Sequence, residues 1–259
     1  MLTPSGTGTN APEISINTPF TVTKTANVGS GFFDEDGDYL QVGGANETDF
    51  DFGTNDFTVE CWFYYTSDAG SGPNQHDILS KFDNASGDRN WMMGIEDSSG
   101  DKLRIYYSYS PGSSSNYLTS TSTLKRNEWI HGAWVCNSGT LTLYLNGVAE
   151  ATATRTSALH TNTKPTLIGA THVSGGTVTQ WFPGYIADVR IVNGTAVYTS
   201  DFTPPTSSLT AVTNTKLLTC QFEGTARNVG FTDMSLYRNE LTPNGTGGVS
   251  VSNFTPFST

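Results

Sequence analysis

The stretch Thr140-Leu-Thr-Leu-Tyr-Leu-Asn-Gly-Val148 constrains the fold more than any other part of the chain. Leu141, Leu143 and Leu145 alternate with Thr142 and Tyr144, which is the period-two pattern of a strand with one buried face. Asn146-Gly147 then supplies two residues that accept positive φ, the requirement of a two-residue type I′ turn, so the chain doubles back as a hairpin. Similar strands read at Phe57 to Tyr65, Lys102 to Tyr109, Trp129 to Cys136, Pro165 to Ala170 and Tyr185 to Val192. Most are separated by Gly, Ser, Asn or Asp clusters.

A lone antiparallel sheet leaves its apolar side in water, so many such strands imply two stacked sheets. The fold expected is an all-β, antiparallel jelly-roll sandwich. The 27 glycines and a charged content of only 14% suit short strands and turns, and leave few of the Ala, Leu, Glu and Lys runs that helices use. If Leu103, Ile105 and Tyr107 face the core, Arg104 and Tyr106 face outward. Trp62 and Trp134 lie in strongly apolar runs and are expected inside. Ser67 to His76 and Ser110 to Ser122 read as loops.

The formal net charge of −11 would repel the phosphates of nucleic acid and an anionic membrane surface, so neither is expected as a partner. Cys61, Cys136 and Cys220 are far apart with no CxxC spacing, and Cys61 and Cys136 sit in apolar strands as expected buried thiols. No apolar run reaches 18 residues, and Met1 is followed by a Thr/Gly/Pro-rich stretch rather than a signal peptide. The expected location is the cytosol, or a released assembly.

One feature is not local. Leu2-Thr3-Pro4-Ser5-Gly6-Thr7-Gly8 is echoed by Leu241-Thr242-Pro243-Asn244-Gly245-Thr246-Gly247, and Thr18-Pro19-Phe20 by Thr255-Pro256-Phe257. Two matches in the same order and at nearly the same offset point to a repeat cut out of phase. The organisation expected is therefore an N-terminal strand segment over residues 1–30, a sandwich core over 31–209, and a C-terminal segment over 210–259. A strand in that last segment closes either the same sandwich or a neighbouring copy.

The series Gly31-Phe-Phe-Asp-Glu-Asp-Gly-Asp-Tyr-Leu40, Asp56-Phe-Thr-Val-Glu-Cys-Trp-Phe63, Ile78 to Lys81, Asn127 to His131 and Gly184 to Ile191 resembles, in order, the laminin-G-like, concanavalin A-like domains. The tail Val197-Tyr-Thr-Ser-Asp-Phe-Thr-Pro-Pro205, with Leu217 to Gln221 and Val251 to Phe257, resembles more narrowly the laminin-G-like repeats of marine bacteriophage virion proteins. That resemblance implies a virion structural or adsorption module, a decoration or tail-fibre protein, with other virion proteins or copies of itself as partners.

Catalysis on this fold takes two carboxylates flanking a glycosidic bond, and related enzymes carry them in a Glu-x-Asp-x-x-Glu run. The chain has no such run; Glu60 stands alone on its strand. No HExxH, GxSxG or GxxxxGK[ST] pattern occurs, so a non-enzyme is expected. The resemblance implies calcium, held by Asp34, Asp36 and Asp38 together with Asp188, although Ala187-Asp188 stands where Asp-Glu is commoner. Asp-rich turns also arise because Asp caps its own backbone, and that alternative stays open. For a glycan ligand, aromatic faces that stack on sugar rings point to Trp91, Arg104, Tyr106, Tyr109 and Tyr117. The same aromatics could instead fill a sheet face.

Overall fold

The computed structural model describes residues 29–44, 47–67, 75–83, 88–96, 100–111, 116–174, 177–221, 231–245 and 247–257. Every regular element among them is a strand. The first half contains β1 (Ser30–Asp34), β2 (Tyr39–Val42), β3 (Phe57–Tyr65), β4 (Gln75–Asp83), β5 (Asp88–Glu96), β6 (Lys102–Tyr107), β7 (Asn116–Thr119) and β8 (Ile130–Asn137). The second half contains β9 (Thr140–Leu145), β10 (Val148–Thr154), β11 (Thr166–Ile168), β12 (Thr171–Ser174), β13 (Thr177–Thr179), β14 (Pro183–Asn193), β15 (Thr215–Thr219), β16 (Leu241–Asn244) and β17 (Ser250–Ser252). The expected N-terminal segment falls almost wholly outside the described residues.

The first sheet runs β10-β9-β8-β3-β14-β1-β17, with β15 also on β14. The second runs β16-β2-β11-β4-β5-β6-β7, with the β12–β13 hairpin attached to β4. All pairings are antiparallel except a single parallel bridge between His172 and Asp83. The jelly-roll sandwich read from the sequence is the fold.

The two apolar faces shield each other. Phe57, Val59, Cys61, Phe63 and Tyr65 alternate along β3 and are fully buried. From β8, Trp134 crosses the interface to within 6.3 Å of the Trp91 ring and 6.1 Å of the Tyr107 ring on the opposite sheet. Phe52 stacks on Phe57 at 4.1 Å in the same cluster. Each aromatic buried this way contributes about 2–3 kcal/mol. Cys61, Cys136 and Cys220 are all free and buried, and burial pushes the Cys61 thiol well up, which keeps it protonated and unreactive.

Trp62 departs from expectation. It is half-buried on the outer side of β3, with Thr58, Glu60 and Tyr64, because Cys61 and Phe63 take the inward positions. The Ser110–Ser122 stretch is not all loop either, since β7 pairs Tyr117 with Tyr106 and Thr119 with Arg104. In the hairpin, Asn146 and Gly147 adopt φ of 48° and 80°, as the type I′ turn demands.

Gly147 is fixed twice over: it needs positive φ, and a Cβ there would run into the Phe202 carbonyl. Gly139 has nearly the same φ of 81° but open space around it. Gly139→Ala is therefore expected to cost about 1 kcal/mol from backbone strain alone. Gly147→Ala should cost at least about 2 kcal/mol more, from the added clash. Urea melts of the two variants check this, and equal losses would contradict it.

Candidate functional site

Along β6, Leu103, Ile105 and Tyr107 are buried while Lys102, Arg104 and Tyr106 face out. The β6–β7 register sets Tyr117 beside Tyr106 on that outer face, and Tyr117 is 59% exposed. The Arg104 guanidinium lies 4.8 Å from the Tyr117 ring centre and 5.6 Å from that of Tyr106. It donates to the Tyr106 hydroxyl at 3.1 Å, and its Nε donates to Thr119 Oγ1 at 3.0 Å. Glu96, at the end of β5, forms an ion pair with it. Phe82, itself buried, backs Tyr106 with its ring 6.4 Å away. Four anchors hold one flexible side chain in a single orientation, so little rotamer entropy remains to be lost on binding. Cation–π contacts of this kind contribute about 0.5–1 kcal/mol each at exposed sites.

Two of the expected sugar-stacking residues are elsewhere. Trp91 has no exposed surface; its indole N–H donates to the Phe50 carbonyl at 3.0 Å, and its ring packs against Phe52. The β5 register sets it opposite Tyr107, an inward position. Tyr109 packs partly buried against the core, 5.7 Å from Tyr107, and its hydroxyl accepts from the Thr156 amide. Arg104, Tyr106 and Tyr117 are brought together; Trp91 and Tyr109 are not.

The four aspartates do not assemble into one calcium cradle. Asp34 and Asp38 are neighbours beside the turn that follows β16, where burial and the Asp34 charge push the Asp38 carboxyl up. Asp34 Oδ1 accepts from the Asp36 amide at 2.9 Å, the self-capping expected of an Asp-rich turn. Asp188 lies within β14 at φ 50°, at a bulge in the pairing with β3. There its Oδ1 accepts from the Leu209 amide at 2.7 Å and from Gln221 Nε2 at 2.6 Å. Among the described residues, no group of three or more His, Cys, Asp or Glu side chains could hold a metal ion.

A buried polar cluster was not read from the sequence. Glu60 Oε1 accepts from Arg190 Nε at 2.8 Å and Nη2 at 2.6 Å, and Oε2 accepts from the Tyr198 hydroxyl at 2.8 Å. His131 Nε2 lies 3.2 Å from the same Oε2. Glu60, isolated in an apolar strand, was the available signal; its partners come from β8, β14 and the segment after β14. These partners hold the Glu60 carboxyl below its usual range against its burial.

Two antiparallel sheets meeting face to face, with the chain returning across one of them, define a laminin-G-type sandwich. The family model for laminin-G domains of the concanavalin A-like lectin/glucanases superfamily matches residues 34–218. The chain belongs to that superfamily. A candidate carbohydrate-binding protein from Bacteroides ovatus superposes with a TM-score of 0.61 at 18% identity, over 88% of this chain and 60% of its own. The heptameric SAP-like pentraxin of Limulus polyphemus gives 0.55 at 14% identity, over 90% and 98%. No curated protein sequence matches the chain.

Burial lifts the Asp188 carboxyl from 3.8 to about 6; the Glu60 charge adds to this, while Gln221, the Leu209 amide and Arg190 oppose it. The folded state thus holds a proton that the unfolded chain releases near pH 4. Stability from this group is present below that point and falls as pH rises to about 6, by up to about 3 kcal/mol. Asp188→Asn keeps an oxygen acceptor and tolerates positive φ. It should be more stable than the parent near pH 7.5, with the gap closing near pH 4. Melting both proteins across that range checks this; a constant gap would count against it.

Proposed function

We propose that the protein is a non-catalytic glycan-binding module whose ligand lies on the outer face of β5, β6 and β7. The observation that carries this reading is Arg104, fixed between Tyr106 and the exposed Tyr117. An exposed tyrosine ring covers the apolar C–H face of a pyranose, while an oriented guanidinium and a carboxylate satisfy its hydroxyls. Glu96 balances the Arg104 charge, so a neutral sugar leaves no charge unpaired. The Bacteroides ovatus structure, described in terms of carbohydrate binding, supports the reading at the level of a shared fold.

A glycan array probed with the full chain tests the proposal. Binding is expected on neutral polysaccharides. Tyr117→Ala should weaken it about tenfold, a loss of about 1.4 kcal/mol, with little change in Tm because Tyr117 is exposed. Arg104→Ala should abolish it. A flat array, or binding indifferent to both changes, would overturn the reading.

A second reading, compatible with the first, is an assembly module of a virion that joins copies of itself or other virion proteins. The end-to-end echo of Leu2 to Gly8 in Leu241 to Gly247 favours it. Self-association at micromolar concentration, measured by mass photometry, is the expected result.

A further inference from the structure

Residues 241–257 are docked along one flank of the sandwich. β16 adds to β2, pairing Leu241 with Val42 and Pro243 with Leu40. β17 adds to β1, pairing Val251 with Gly31. Pro243 fits because, among the described residues, β16 ends its sheet and no further strand needs its missing N–H. Gly245, at φ 119°, lies so close to Asp38 that any Cβ would run into its carboxylate and backbone. Val249 is buried in the core, and Phe257 sets its ring 6.1 Å from Trp62. The berth thus takes a leading Leu, tolerates an edge Pro, requires a Gly, and receives an aliphatic residue in an alternating run and a closing Phe.

The chain carries that specification twice. Leu2, Pro4 and Gly6 match Leu241, Pro243 and Gly245; Ile14-Ser15-Ile16 alternates as Val249-Ser250-Val251 does; and Thr18-Pro19-Phe20 closes the segment. Between Gly8 and Ile14 the N-terminal version has four extra residues; between Ile16 and Thr18 it has two fewer, with no counterpart of Phe254. Residues 1–28 lie outside the described residues, and the match is one of sequence.

We propose that residues 2–20 of one copy fill, on a second copy, the berth that residues 241–257 fill on their own chain. This deepens the assembly reading and is independent of glycan binding. The exchange trades like for like: the visitor makes again the edge-strand hydrogen bonds and apolar packing that the resident gives up. The resident's advantage is its tether, equivalent to an effective concentration of about millimolar, plus the packing of Phe254 on Tyr64 at 4.9 Å. Linkage therefore forms where copies are crowded. Because donor and acceptor surfaces differ, the linkage is head-to-tail, closing as a reciprocal dimer or ring where the rotation allows and running on as an open chain where it does not.

Disulfide trapping between full-length chains tests it. A Cβ at Gly247 would lie 3.8 Å from Asp34 Oδ2, so a visiting Gly8→Cys chain should link to an Asp34→Cys chain. The native cysteines are buried and do not compete. Mild oxidation of the mixture should give a dimer whose linked peptides join positions 8 and 34. Adding Leu241→Ala to the Asp34→Cys chain weakens its resident by about 1 kcal/mol and should raise the yield about fivefold. Adding Gly6→Val to the Gly8→Cys chain should return the yield to background. Should Leu241→Ala abolish the cooperative melt, Phe257→Ala weakens the resident from its other end. Folded chains that give no 8–34 linkage, or a linkage indifferent to Gly6→Val, overturn the proposal. That outcome would leave glycan binding and docking on other proteins untouched.

Discussion

Glu60 and Arg190, opposite each other on β3 and β14, form the interaction on which the first sheet depends. Both are buried, and a carboxylate without partners there would cost several kcal/mol. Four donor groups meet its two oxygens: two from Arg190, one from Tyr198 and a ring nitrogen of His131. Removing one partner of such a cluster leaves a buried charge uncompensated, typically at a cost of about 3–5 kcal/mol. The cluster also pins the chain after β14 across the sheet. Tyr198 stacks on Phe202 at 3.6 Å, and both pack over Ala133, Val135 and Tyr144. A strap that would otherwise run free over the surface thereby becomes a third layer.

The bulge at Asp188 completes that sheet. Before it, β14 pairs with β1; after it, the same edge of β14 pairs with β15. Two short strands from distant parts of the chain thus share one long neighbour. The tail beyond β17 then brings Phe254 to within 5.2 Å of Trp129 and 4.9 Å of Tyr185. The outer face of the first sheet is largely built over by strap and tail. On the second sheet Tyr117 is exposed, and among the described residues no comparable strap or tail packs over it.

How much was legible follows from how far each decision reaches along the chain. The parity of β6 was readable because Leu103, Ile105 and Tyr107 alternate with polar or wet-tipped residues. The parity of β3 and β5 was not, since Trp62 and Trp91 stand in runs apolar on both sides, and an apolar run does not declare which face is inward. Trp91 turned in because the first sheet, with Trp134, covers that side of β5. Trp62 turned out because Cys61 and Phe63 take the inward positions of β3 and the tail, with Phe257, packs on the other side. Asp188 and Glu60 were visible as acids in apolar strands. Their partners, Gln221 and Leu209 for one, Arg190, Tyr198 and His131 for the other, could not be assigned without the fold.

The amino-acid order alone determined the antiparallel sandwich, its sharpest hairpin and the outward direction of Arg104 and Tyr106, because period-two alternation and turn chemistry act between neighbouring residues. Tertiary structure alone decided which outer face is covered, which aspartate is isolated in a bulge, and which aromatics remain in solvent. Those outcomes depend on contacts such as Glu60 with Tyr198 and Trp62 with Phe257, between residues that no local pattern relates.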